Sequence, residues 1–308
     1  RRTLGDVYAK VDSAKNGIEL AYDSYLRGKP GWGHEKKAGK QTVYVVDKPA
    51  VDGYDVKTTL NVEIQDIAEK AVLDMLHLQN TRPRGNARTG VAIVMEVATG
   101  DVKAMVNMSR AEDGNYYELK NNALTDILEP GSTFKTASLL VALNDKKISI
   151  NDSVDAHKGL YKFGTTPMTD HNAGKPNAYG MLSVPQVLMY SSNVGTARLI
   201  NENYKDNPEK FVEGLHRMGL ATHFPLLPGT GRPVIRKPNA NKSNWSVTTL
   251  PWMSIGYETH IAPINIVSFY NAIANNGKFM KPRLVSAILD GDRVVEEFEP
   301  EVLIDKIA

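Results

Sequence analysis

Residues 91–97 read Val-Ala-Ile-Val-Met-Glu-Val, apolar at all but one position. A strand with one face in water alternates apolar and polar side chains, whereas a strand covered on both faces need not. The run therefore predicts a strand at the centre of a covered sheet. Thr99-Gly100-Asp101 is a turn signal, and Val102 to Met108 returns as the second strand of a hairpin. Something must cover this hairpin, and the sequence before it offers a helix. From Asn61 to Leu78 the apolar residues Ile64, Ile67, Ala68, Ala71, Val72, Met75 and Leu76 recur at helical spacing. After the hairpin, Ile148 to Leu250 reads as helices joined by long polar loops. Phe211 to Met218 is one of these helices, and Pro225 to Asn244 is an extended, Pro- and Gly-bearing loop. Ile264 to Ala274 is a further helix, and Arg283 to Leu289 opens a late strand. The order of hairpin, helices and late strands predicts an α/β sandwich with a helical cluster inserted between early and late pieces of its sheet.

The chemistry is concentrated in Ser132-Thr133-Phe134-Lys135. Pro130 and Gly131 break the chain just before it, and good helix formers follow, so a helix is expected from about Ser132 to Leu143. A spacing of three residues puts the Ser132 hydroxyl and the Lys135 amine on one helix face. A serine hydroxyl needs a neighbour to take its proton, and a lysine can do so once burial lowers its pKa. The unpaired N–H groups of the helix start can hold the oxyanion of an acyl transfer. The plain structural alternative is an N-capping Ser132 with a solvated Lys135. A second element, Ser191-Ser192-Asn193, follows the amphipathic stretch Leu182 to Met189. Its hydroxyl and carboxamide, two residues apart, can point into one cleft, Ser191 to relay a proton and Asn193 to bind a peptide-like substrate. An Asx or Ser turn between two helices is the plain alternative here. Ser-x-x-Lys followed by Ser-x-Asn is the order found in serine acyl-transferases that react with penicillin.

Other signals are weaker. Asp170-His171 are adjacent and cannot form a Ser-His-Asp relay without an unusual turn, and no Gly-x-Ser-x-Gly elbow accompanies them. His171 reads instead as a loop residue at a cleft rim. The seven His residues show no metal spacing. Gly33 to Gln41 has one residue too many for a phosphate loop and reads as a basic solvated loop, with a short strand at Val43-Tyr44-Val45-Val46. Trp252, Tyr257 and Tyr270 read as packing residues, Tyr270 by its helical spacing. The formal net charge of +2 gives no electrostatic case for nucleic acid, and the absence of Cys removes disulfides and thiol nucleophiles. The longest apolar run near the motif, Ala137 to Leu143, falls far short of a membrane span.

The chain resembles the class B penicillin-binding proteins, most closely the septal cell-division transpeptidase type. Gly17 to Gly28 is similar to the family's segment ahead of the catalytic domain, Thr58 to Gln65 to the entry of its first long helix, and Ala98 to Met105 to its first hairpin. Glu129-Pro130-Gly131-Ser132-Thr133-Phe134-Lys135 is similar to its nucleophile motif letter for letter. Leu250 to Glu258 and Asn275 to Arg283 point to the division branch. The resemblance implies the penicillin-binding/serine β-lactamase-like α/β fold: a central antiparallel sheet with a helical cluster. Residues 1–55 are then the end of a pedestal domain and its linker, and 56–308 a transpeptidase domain cut before the Lys-Thr-Gly motif, with C-terminal strands missing. It implies a D-Ala-D-Ala transpeptidase that cross-links peptidoglycan stem peptides through a Ser132 acyl-enzyme, is acylated by β-lactams and needs no cofactor or metal. Lys135 would take the Ser132 proton, Ser191 relay one and Asn193 hold the substrate backbone. Partners would be divisome membrane proteins. The site of action would be the periplasmic face of the bacterial inner membrane, reached through an N-terminal anchor outside this sequence, which opens with Arg1-Arg2. The family's third motif, Lys-Thr-Gly-[Ser/Thr], does not occur here. A β-lactamase, for which no deacylating carboxylate can be assigned, and a non-catalytic β-lactam sensor or division scaffold are the competing readings.

Overall fold

A computed structural model describes residues 2–5, 14–238 and 245–308; the end of the expected loop, residues 239–244, lies outside the described residues. Along the chain come a hairpin of β1 (Trp32–Ala38) and β2 (Gln41–Lys48), then β3 (Asp55–Thr58) and helix α1 (Val62–Thr81). A second hairpin follows, β4 (Thr89–Met95) and β5 (Val102–Arg110). A 3-10 turn, Gly131–Phe134, runs directly into α2 (Lys135–Asn144). Four short strands come next: β6 (Ser153–Asp155), β7 (Leu160–Phe163), β8 (Thr166–Thr169) and β9 (Met181–Ser183). They lead to helices α3 (Val184–Met189), α4 (Asn193–Tyr204), α5 (Pro208–Arg217), α6 (Thr249–Ser254) and α7 (Pro263–Ala274). The last strands are β10 (Phe279–Met280), β11 (Val285–Asp290), β12 (Arg293–Glu297) and β13 (Val302–Ile304).

The chain divides into two compact units. One takes in residues up to Ala123 with Pro225–Thr230 and Lys281–Glu301; the other comprises Leu124–Phe224, Gly231–Met280 and Val302–Ala308. In the first unit α1 lies on the β4–β5 hairpin. Ala68 and Leu76 pack with Ala104, Val106 and Met108, and Ile64, Val72 and Leu73 close the edge. Asn61 caps the helix by accepting from the Ile64 N–H at 3.0 Å. Gly90 permits the close approach of helix and strand, since a Cβ there would lie 2.7 Å from a Val72 methyl. The sheet runs β4, β5 and then the two-residue strand Tyr116–Tyr117, so β5 and not β4 is central. β5 is accordingly the buried strand, and β4 is only half covered. Early and late chain do join: β11 pairs antiparallel with β3 on one side and β12 on the other. The near-buried Arg283–Asp101 pair, at 2.6 Å, ties the start of β11's segment to the β4–β5 turn.

Two further segments differ from expectation. Ile67 and Met75 are on the open side of α1, Ile67 being 71 % exposed, because the helix meets its sheet along a narrower stripe than its apolar residues span. Gly33 to Gln41 is not a loop. It forms β1 and the turn into β2, paired from Trp32↔Lys48 to Ala38↔Gln41.

The second unit is mainly helical. Ala137, Leu139, Val141 and Ala142 of α2 are buried, and α2 packs against α4 and α5. Gly214 lets α5 come in closely, as a Cβ there would meet Val141 at 2.5 Å. Ser138 spends its buried hydroxyl on the Ser254 carbonyl at 2.8 Å, which ties α2 to the end of α6. Between α2 and α3 the expected polar loops include two small antiparallel pairs, β6 with β9 and β7 with β8. Among the described residues no helix is long and apolar enough to cross a membrane.

Candidate active site

The turn that carries Ser132 is held backbone to backbone. Gly131 has φ +58° and its N–H donates to the Gly256 carbonyl at 3.1 Å. Gly256, at φ +86°, sits so close that a Cβ on it would lie 2.1 Å from the Gly131 carbonyl oxygen. Only glycine fits both the left-handed backbone and the contact. The Glu129 carboxylate accepts from the Glu258 N–H at 2.8 Å on the same side. Past Ser132, the Tyr270 hydroxyl donates to the Thr133 carbonyl at 2.8 Å and meets the Thr136 hydroxyl at 2.9 Å. Tyr270 is 38 % exposed, so the expected packing residue is instead a clamp on the first turn of the serine segment. Ser132 itself is exposed, and its hydroxyl has no hydrogen-bond partner among the described residues. The helix start also leaves the Ser132 N–H without an intrahelical acceptor.

Lys135 is fully buried, at 0 % exposure. Its amine donates to the Ser191 carbonyl at 2.6 Å, the Ser191 hydroxyl at 3.0 Å and the Asn193 side-chain oxygen at 2.6 Å. Burial lowers its pKa from 10.5 to about 8, while the charge of Asp170 pulls the other way. The acceptors converge because of the joint between α3 and α4. Ser191 has φ +51°, an uncommon conformation for a residue with a side chain, and presents both its carbonyl and hydroxyl to the lysine. Ser192 caps α4, accepting from the Gly195 N–H at 2.9 Å. Asn193 is oriented from behind, since its amide donates to the Thr169 carbonyl at the end of β8 at 2.9 Å.

These two elements thus meet through Lys135, which touches both Ser191 and Asn193. Ser132 stands three residues before it on the same turn, with no hydrogen bond between the two side chains among the described residues. Residues 90–306 match the penicillin binding protein transpeptidase domain, well over half of the chain. The chain belongs to that family.

Relatives bear the same stamp. The probable peptidoglycan D,D-transpeptidase PenA of Neisseria meningitidis is 24 % identical over 294 residues, covering 89 % of this chain and 47 % of its own. The peptidoglycan D,D-transpeptidase FtsI of Buchnera aphidicola is 27 % identical over 312 residues, covering 94 % of this chain and 49 % of its own. The chain spans about half the length of these curated relatives. Penicillin-binding protein 3 of Mycobacterium tuberculosis, complexed with ampicillin, superposes with a TM-score of 0.77 at 23 % identity over 99 % of this chain and 63 % of that one. Penicillin-binding protein 2B of Streptococcus pneumoniae does so with 0.75 at 18 % identity over 96 % and 51 %. The expected α/β fold of penicillin-binding transpeptidases is the fold found.

Within this transpeptidase domain, Asp170 plays no part in a serine–histidine relay. Its carboxylate accepts from the Ser192 hydroxyl at 2.8 Å and the Val194 N–H at 3.0 Å, while His171 turns to the Tyr179 hydroxyl at 3.4 Å. Sequence reasoning missed Asp170, Tyr270 and Gly256 as parts of the site. No local pattern connects them to Ser132 or Ser191; they arrive through long-range packing. The Asp170-His171 pair was the one visible signal; the relay it would suggest is excluded on sequence as in the structure, and nothing local announces the contact with Ser192.

Proposed function

We propose that this chain is the transpeptidase portion of a septal class B penicillin-binding protein, a serine D-Ala-D-Ala transpeptidase of peptidoglycan synthesis and a covalent target of β-lactams. The observation that carries it is the buried Lys135 amine, held between Ser191 and Asn193 one helical turn from the exposed Ser132. With a pKa near 8, roughly a tenth of Lys135 is neutral at pH 7, far more than for a free lysine.

The residues divide the reaction among them. Neutral Lys135 takes the proton of Ser132 as its oxygen attacks the carbonyl of the penultimate D-Ala of a stem peptide. The Ser132 N–H faces the oxyanion that forms. The C–N bond then breaks, the terminal D-Ala leaves as an amine with a proton delivered through Ser191, and the acyl group stays on Ser132 as an ester. The Ser191 hydroxyl suits the relay because, of the three acceptors on Lys135, it alone can reverse and donate; the other two are the Ser191 backbone carbonyl and the Asn193 side-chain carbonyl. An amine of a second stem peptide attacks the ester and releases Ser132. Asn193 uses one amide proton on Thr169 and keeps the second for a substrate carbonyl. No metal or cofactor enters the scheme.

The names of the FtsI and PenA relatives support the D,D-transpeptidase assignment; the septal role, with a periplasmic site of action, an N-terminal membrane anchor and divisome membrane proteins as partners, is carried by the resemblance of Leu250 to Glu258 and Asn275 to Arg283 to the division branch. On the same reading residues 1–55 end a pedestal domain and 56–308 belong to the transpeptidase domain. The test is the intact mass of the full-length protein after incubation with a penicillin, beside Ser132→Ala. A stoichiometric, slowly lost adduct absent from the variant is expected. A folded wild type that stays unmodified, or a variant that labels equally, overturns the proposal.

A further inference from the structure

Asp170 is 5 % exposed, and no Lys, Arg or His lies within ion-pair distance of it among the described residues. A buried carboxylate without a contacting cation is costly unless it is hydrogen-bonded and a counter-charge is near. Both conditions are met in an unusual way. Along the joint between α3 and α4, Ser191 and Asn193 face Lys135, whereas Ser192 and Val194 face Asp170. One short stretch of chain is thus gripped by a buried cation through two residues and by a buried anion through the two that alternate with them. The charged groups next to it in the chain and on α4 have partners of their own. Arg198 of α4 binds Glu202 and the Asp155 carbonyl, and His171 is directed to Tyr179. The Asp170 carboxylate and the Lys135 amine are joined through residues 191–194, and a negative charge so placed favours the protonated lysine.

We propose that Asp170 is a positioning residue for acyl transfer: it pins Ser192 and Val194 so that Ser191 and Asn193 stay turned to Lys135, and its charge holds the proton on Lys135 until substrate arrives. The kinetic side of this inference rests on the acyl-transfer reading above; the titration side stands without it.

The test uses full-length protein and the variants Asp170→Asn and Ser192→Ala, with folding checked by circular dichroism. The Lys135 amine is titrated by NMR with lysine labelled at the ε-carbon, its signal assigned by its loss in Lys135→Met. The rate of penicillin adduct formation is followed over the same pH range. Asp170→Asn keeps the shape and removes the charge. It should lower the Lys135 pKa by roughly half a unit to one unit and move the rise in acylation to lower pH by the same amount. Ser192→Ala keeps the charge and cuts one tether, so the Lys135 pKa should hold while the acylation plateau drops about tenfold. An Asp170→Asn protein that titrates as wild type overturns the inference, even if its rate falls at every pH, because that pattern belongs to a purely structural residue. Should Asp170→Asn not fold, a wild-type plateau in Ser192→Ala overturns the pinning role. A wild type that forms no adduct counts against the acyl-transfer reading, and the titration still decides the role of Asp170.

Discussion

The Lys135 amine donates to the Asn193 side-chain oxygen at 2.6 Å, so two motifs 58 residues apart close on one hydrogen bond. The bond fixes the lysine's place as well as its environment. Burial lowers the proton affinity of this amine, and the charge of Asp170 opposes that fall.

Replacing Lys135 by Met tests its part in proton transfer. Met fills the buried stem without a base, so the fold should survive while the rate of penicillin acylation falls at least about a hundredfold. The rate of adduct formation by intact mass measures this; a rate within a few-fold of wild type would remove Lys135 from the mechanism.

The acylation rate should depend on pH through the same amine. The folded pKa, about 8, lies below that of free lysine, 10.5. The neutral base therefore gains about tenfold per pH unit below pH 7 and saturates above pH 8. The stability linkage follows the same sign. Folding disfavours the protonated amine, so the unfolded chain binds more protons between about pH 8 and 10.5. The burial penalty of Lys135 is full below pH 8 and fades as pH rises through that window, which should narrow any stability gain of Lys135→Met over wild type. A flat rate between pH 6 and 9 would contradict the assignment.

Gly256→Ala should damage the site from behind. Its Cβ would lie 2.1 Å from the Gly131 oxygen, on backbone at φ +86°. The expected cost is about 2 kcal/mol or more in denaturant unfolding, with a slower acylation because the Ser132 turn must shift. Unchanged stability and rate would mean that the two backbones can separate freely.

Tyr270→Phe removes one hydroxyl that serves two partners, the Thr133 carbonyl and the Thr136 hydroxyl. On this half-open surface the stability loss should be small, about 1 kcal/mol. The acylation rate should fall several-fold, since the first turn after Ser132 loses its clamp. A loss of stability with no change in rate would place Tyr270 outside the site.

Much of the candidate site was legible where chemistry and local geometry coincide. Ser132 and Lys135 share a helix start announced by Pro130-Gly131, and the first turn is a 3-10 turn that passes into α2 without altering the three-residue spacing. Ser191 and Ser192 do lie between two helices, with Asn193 opening the second. The hairpin and α1 were legible from periodicity. The strands β6 to β9 were not, because three or four residues are too few to show a period of two.

What the sequence determined by itself was the set of candidate reactive groups and their local order along the chain, because a helical turn places a side chain three residues on regardless of what surrounds it. Only the tertiary structure decided that Lys135 is buried, that Asn193 and Ser191 accept its hydrogen bonds, and that Asp170 and Tyr270 brace the motifs. It likewise made β5 rather than β4 the middle strand and left Ile67 in the open. These outcomes depend on which surfaces meet, and burial, not residue type, sets both the proton affinity of a lysine and the covered side of a helix.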